Sequence, residues 1–215
     1  MATKKGPRTT PRQLAKRGQA RADRTQALVI EETIRCVHEE GFAAASTRRI
    51  IERAGVSWGV IQYHFGDRDG LLAAVLDHGM TSLVDALEAI IARAGEIKDG
   101  RTRAKTLTSE IWAVLTAPQS MSMLEILIAT RWERGRLNAG DLSALGATWA
   151  RVSELLGEGA APPAAIVDLL SASAVGMMVT QMTTDVPLPM DAVQQAMASV
   201  IADRFSPRQR RRRGT

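Results

Sequence analysis

From Ala27 to Ile201 the apolar residues recur at steps of three and four, and the breaks in that rhythm fall at glycine and proline. Such spacing gives each segment one apolar face at the period of an α-helix. Alternating β-branched and aromatic residues are scarce, so a strand reading has almost no support. The first helix is expected over 24–40, with Ala27, Ile30, Ile34 and Val37 as its buried stripe and Gly41 as its stop. A short helix follows over 47–54, capped by Ser46 and ended by Gly55, and another over 58–65, capped by Ser57. Further helices are expected over 69–94, 102–117, 120–134, 141–156, 163–184 and 189–205, separated by "GEIKDG", "APQS", "NAGD", "GEGAAPP" and "DVPLP". Asp141 suits a cap, and Pro163 a first helical position. The expected fold is all-α with about nine helices.

A chain of 215 residues with 45% hydrophobic and 24% charged residues can bury a sizeable core. Its one cysteine, Cys36, forms no internal disulfide and suits a reducing compartment. No apolar signal core and no run near the ~18 apolar residues of a membrane span is evident, so a cytoplasmic protein with no membrane partner is expected. The net charge of +5 conceals a division. Residues 1–24 carry eight Lys/Arg against one acid and residues 204–215 six Arg against none, leaving 14 basic and 22 acidic residues between. Residues 1–23 read as a flexible basic arm and 206–215 as a basic disordered tail, around an acidic folded body.

The stretch "AGVSWGVIQYHF", 54–65, concentrates three of the eight aromatic residues: Trp58, the only tyrosine, Tyr63, and Phe65. Two short helices joined by a tight glycine-containing turn behind a longer first helix form a helix-turn-helix unit. An eight-residue helix is about 12 Å long and matches the width of the B-DNA major groove. Ile61, Val56 and Phe65 fit inward-facing roles, which leaves Trp58, Gln62 and Tyr63 outside. Gln can read adenine in bidentate fashion, while Trp and Tyr pack on sugars or donate to phosphate. Ser57 and Gly59 allow close backbone approach at the helix start.

The run "GFAAASTRRIIERAGVSWGVIQYHFGDRDGLLAAVL", 41–76, resembles the DNA-binding region of the TetR family of transcriptional regulators. The matching elements are Gly41-Phe42, Ser46-Thr47, Ile50, Ala54-Gly55-Val56-Ser57, Gly59, His64-Phe65 and Leu71-Leu72. The resemblance implies DNA contacts from Thr47 and Arg48, from Ser57, Trp58, Gly59, Val60, Gln62, Tyr63 and His64, and from Arg68. The family usually has Tyr where Gln62 stands, so either Gln62 or Tyr63 makes the usual tyrosine contact. It also implies a three-helix DNA-binding domain, 24–68, and a helical domain, 69–205, for ligand binding and dimerisation. The expected function is that of a ligand-responsive repressor on double-stranded operator DNA, released by a small apolar effector. A non-specific DNA-packaging protein driven by the basic tails is the alternative.

For the effector, Trp112, Met121, Met123, Leu127, Trp132, Trp149 and Met178 offer an adaptable apolar lining, and each also fits an ordinary core position. Glu125 and Arg131 are candidates to orient a polar group. Helices 163–184 and 189–205 are expected to form the homodimer, the first through "SASAVG" and the second through Val193, Met197, Val200 and Ile201. "GDRDG" at 66–70 lacks the distal ligands of a calcium loop and reads as a turn with Asp67 capping the fourth helix. No nucleophile elbow, zinc-protease helix or phosphate loop occurs, so neither enzymatic activity nor a cofactor is expected.

Overall fold

The computed structural model describes residues 11–132, 143–156, 163–184 and 189–203. Among them are nine helices: α1 (Pro11–Glu40), α2 (Thr47–Ala54), α3 (Trp58–Phe65), α4 (Arg68–Gly95), α5 (Gly100–Leu115), α6 (Pro118–Ala129), α7 (Ser143–Leu155), α8 (Pro163–Thr183) and α9 (Met190–Asp203). Asp141, the basic tail and residues 1–10 lie outside the described residues.

α1 begins well before residue 24, so a flexible arm over 11–23 is incorrect. Proline stands at its first position, where the missing N–H costs nothing, and Gln, Leu, Ala, Lys and Arg carry the next turns. Local bonds hold this part: Gln19 donates to Asp23 at 2.8 Å and Thr25 to the Arg21 carbonyl at 2.9 Å. Residues 16–21 are exposed, so no apolar face marks the helix in the sequence. The buried stripe begins only at Val29 and Ile30 and continues through Thr33, Cys36 and Val37. Ala27, expected in it, is exposed.

Two clusters of buried side chains organise the chain. The first joins α1, α2 and α3 to the start of α4 through Val29, Cys36, Ile50, Ile61, Leu71 and Leu72, with Ile126 from α6. The second joins the rest of α4 to α5, α7, α8 and α9 through Leu87, Ile90, Leu107, Ile111, Val152, Leu170 and Ile201. α4 therefore serves both. It is long and apolar enough to cross a bilayer, yet Leu71, Leu72, Val75, Leu83, Leu87 and Ile90 are buried in these two clusters.

Two boundaries differ from the sequence reading. α6 ends at Ala129, not 134; Thr130 N–H and its hydroxyl both bond the Ile126 carbonyl, and Arg131 and Trp132 follow in a turn. α9 turns much of its apolar stripe into the chain: Ile201 is buried, and Val193 and Met197, partly buried, pack on the second cluster. Gln194 donates to the Ser109 carbonyl of α5 at 2.8 Å, and Arg101 pairs with Asp203 at 2.7 Å. Of that stripe only Val200 stands out, 62% exposed.

Candidate nucleic-acid interface and effector cavity

Ser46 caps α2, its hydroxyl accepting the Arg49 N–H at 3.2 Å. Gly55 closes the helix at φ 62°, left-handed backbone that glycine adopts without strain. Asp67 caps α4, its carboxylate accepting the Gly70 N–H at 2.8 Å. At that junction a Cβ on Gly70 would lie 1.9 Å from the Phe65 carbonyl oxygen, so only glycine lets the end of α3 sit this close to α4. The sequence gives no hint of this, because a glycine in a first helical turn looks like an indifferent choice.

These constraints orient α3. Ile61 is fully buried, and Val56 and Phe65 pack on the same cluster. The opposite side is open: Trp58 is 47% and Tyr63 80% exposed, and Gln62 is exposed. Tyr63 stands edge-on to the His64 ring at 4.9 Å, which braces the phenol while leaving its hydroxyl outward. His64 and Val60 are half-buried along the flanks. Ser57 precedes α3 in extended backbone and makes no side-chain cap bond. A Cβ on Gly59 would meet only Ser57 Oγ, at an ordinary 3.7 Å, so nothing among the described residues demands glycine there. Thr47 opens α2, half-buried, and Arg68 opens α4 with its guanidinium over the Phe42 ring at 5.0 Å.

Among the three arginines of α2, only Arg48 projects freely, its side chain 90% exposed and bonded along its own helix to Glu52 at 3.0 Å. Arg49 grips Glu40 of α1 through two nitrogens, each at 2.9 Å. Arg53 reaches Glu40 at 2.6 Å and Glu39 at 2.7 Å. Hydrogen bonds from Arg49, then from Arg53, hold the Glu40 carboxyl below the ordinary carboxylate range. Bonds to Glu39 and Glu40 push the Arg53 guanidinium upward, so it stays charged. Beneath them burial pushes the Cys36 thiol up, with Glu40 adding to it, which leaves the thiol a packing group.

In the second half, α4, α5, α6, α7 and α8 enclose an apolar cavity of about 260 Å³. Met123, Leu127, Trp149 and Met178 all line it, with Met80, Leu115 and Val175. The other three expected lining residues do not. Trp112 is core, with its indole N–H buried and without an acceptor. Met121 faces a different cavity, between α1, α6 and α8. Trp132, beyond the end of α6, is 84% exposed with the Arg131 guanidinium 5.1 Å over its ring. Periodicity predicts burial from within one helix, and these three went astray because the neighbouring helix decides which space a side chain meets.

Glu125 and Arg131 do not orient a group in the apolar cavity. Glu125 accepts the Phe42 N–H at 2.6 Å, and Arg131 donates to the Ile128 carbonyl at 2.9 Å. Ser122, a turn before Glu125, donates to the Ile34 carbonyl at 3.1 Å. α6 is thus pinned to both α1 and the loop after it. Met123 adjoins the cavity on one side, and on the other its sulfur lies 3.0 Å from where a Gly79 Cβ would be.

A buried Ile61 behind an exposed Trp58 and Tyr63, on a helix fixed by glycines at both ends, defines a helix-turn-helix DNA-binding unit. Residues 29–75 match the family model described as bacterial regulatory proteins, tetR family. The chain is 40% identical over 76 residues to the HTH-type transcriptional regulator BetI 2 of Chromohalobacter salexigens, covering 35% of each chain. It is 33% identical over 79 residues to BetI of Burkholderia thailandensis, covering 37% of this chain and 40% of that one. The matches therefore span well under half the length of these curated relatives. The fold extends further. A TetR family transcription regulator from Marinobacter aquaeolei VT8 superposes with a TM-score of 0.62 at 17% identity, over 86% of this chain and 97% of that one. The fatty acid degradation regulator FadR from Bacillus halodurans does so at 0.63 and 17%, over 91% and 97%. Residues 29–75 are therefore similar to the DNA-binding region of the tetR family, and the chain as a whole shares the fold of these solved structures.

Proposed function

We propose that the chain is a non-enzymatic, sequence-specific repressor of transcription, acting in the cytoplasm as a homodimer and released from a palindromic operator by a small apolar effector. The observation that carries this reading is the two-faced α3, with Ile61 in the core and Trp58, Gln62 and Tyr63 turned to solvent. In the operator complex Gln62 reads a base edge. Tyr63, Trp58 and Ser57 meet sugar and phosphate, with His64 at the flank, while Gly59 and Val60 keep the helix close to the groove wall. Thr47, Arg48 and Arg68 add phosphate contacts from the two neighbouring helix starts.

One short helix reads too few bases to be selective, so a pair on two half-sites about 34–36 Å apart is required. The pairing face is centred on α8, where Leu169, Val175 and Val179 are exposed, and Val200 of α9 is exposed as well. The effector fills the cavity lined by Met123, Leu127, Trp149 and Met178. It acts through α6: an occupant that moves Met123 moves the helix holding Ile34 through Ser122 and Phe42 through Glu125. The effect on operator affinity equals the difference in effector affinity between the two arrangements.

Selection of duplexes from a random pool tests this reading. The expected outcome is an inverted repeat with preference over random DNA of about 10³-fold or more. Binding with no preference would instead support packaging by the basic tails.

A further inference from the structure

The cavity between α1, α6 and α8, about 310 Å³, has a different chemistry from the apolar one. Val37, Met121 and Met182 supply apolar wall, while Glu125 and Gln181 supply a carboxylate and an amide, with His38 exposed at the rim. Among the described residues no Lys or Arg lines it. One Glu125 oxygen is engaged by the Phe42 N–H, and a carboxylate has room for further donors on its second oxygen. The Gln181 carbonyl oxygen is buried without a donor. A buried acceptor left unmade is costly, and such groups are normally satisfied by a partner. An uncompensated carboxylate, an orphan acceptor and a short apolar wall in one cavity call for a positively charged donor on a short hydrocarbon stem.

We propose that this junction is a second small-molecule site, separate from the effector cavity, and that it takes a short primary alkylammonium. Its N–H donors meet the Gln181 carbonyl oxygen and the Glu125 carboxylate, and its stem lies against Val37, Met121 and Met182. A carboxylate ligand would be repelled by Glu125, and an alcohol would bring a donor without the charge.

Methyl-labelled methionine gives the test, without DNA, so its failure is separable from that of the repressor reading. The full-length protein is titrated with n-butylamine, n-butanol and butyrate at neutral pH, where the amine is protonated. The expected result is a saturable movement of the Met121 and Met182 methyl signals with n-butylamine at millimolar concentration, weaker or absent with the other two, and no movement of Met178. Gln181→Leu, checked for unchanged helix content, should weaken n-butylamine binding about tenfold or more, the loss of a hydrogen bond to a charged group. Trp132→Leu, exposed beyond the end of α6 and lining neither cavity, should leave it unchanged and serves as the folded control. Absence of a saturable shift, equal binding of n-butanol, or full binding in Gln181→Leu would each overturn the proposal.

Discussion

Tyr63 separates a reading role from a packing role more sharply than any other side chain of α3. Its ring is four-fifths exposed and touches His64 by an edge, so removing it leaves the core cluster around Ile61 intact. Tyr63→Ala should therefore leave thermal stability within about 0.5 kcal/mol, as expected for an exposed position. Operator affinity should fall by about 1–3 kcal/mol, roughly five- to 150-fold, through lost contacts to the duplex. Fluorescence anisotropy with labelled operator, alongside a thermal melt, distinguishes the two; a joint loss of binding and stability would assign Tyr63 to folding. The facing of α3 was legible in the sequence because an eight-residue helix held between Gly55 and Gly66 can bury only one side. Gly70 was not legible, since its need comes from a carbonyl of another helix approaching in space. Trp112 and Trp132 misled for a related reason: an aromatic at helical spacing marks a contact, and only the partner helix decides between core, cavity and surface.

At the scale of elements, α2 is clamped to α1 by charge as well as by Ile50. Glu40 accepts from both Arg49 and Arg53, which ties up these two cations and leaves Arg48 exposed at the surface of α2. Since the folded Glu40 carboxyl lies below its ordinary value of 4.5, the folded chain gives up this proton more readily than the unfolded one. Its contribution is full above that value and disappears as the pH falls through the folded pKa. Glu40→Gln should thus lower the melting temperature near neutral pH, and the gap to the wild type should close as the pH drops below about 4.5. Melts across that range check it; a gap that persists at lower pH would show that ionisation of Glu40 is not what holds the two helices. The groups lie near the surface, so added salt should narrow the gap as well. Helix number and order were readable because each break carries glycine or proline. The early start of α1 was not, because i to i+4 bonds between Gln19 and Asp23 leave no apolar period.

For the whole molecule, the governing question is how two recognition helices come to be spaced, and the distribution of exposed apolar groups narrows it. Val193, Met197 and Ile201 were expected to face a partner, but packing against α5 and the core engages them within the chain. Among the described residues α8 carries more exposed large apolar side chains than any other helix, with Leu169, Val175 and Val179 among them, and Val200 of α9 is exposed as well. In the proposed dimer another subunit covers this strip, since exposed apolar groups gathered on one helix mark an interaction surface. Val179→Asp places a charge near its middle without entering the apolar cavity, whose lining includes Val175 and Met178 but not Val179. Burying an unpaired carboxylate costs several kcal/mol, so dimer dissociation should strengthen by about a hundredfold or more. Sedimentation should show monomer where the wild type is dimeric, with helix content unchanged. Operator binding should collapse to the weak affinity of one half-site, since α3 is untouched but no longer paired. A variant that stays dimeric would move the contact away from α8, and a monomer that still held the full operator tightly would remove the need for pairing altogether.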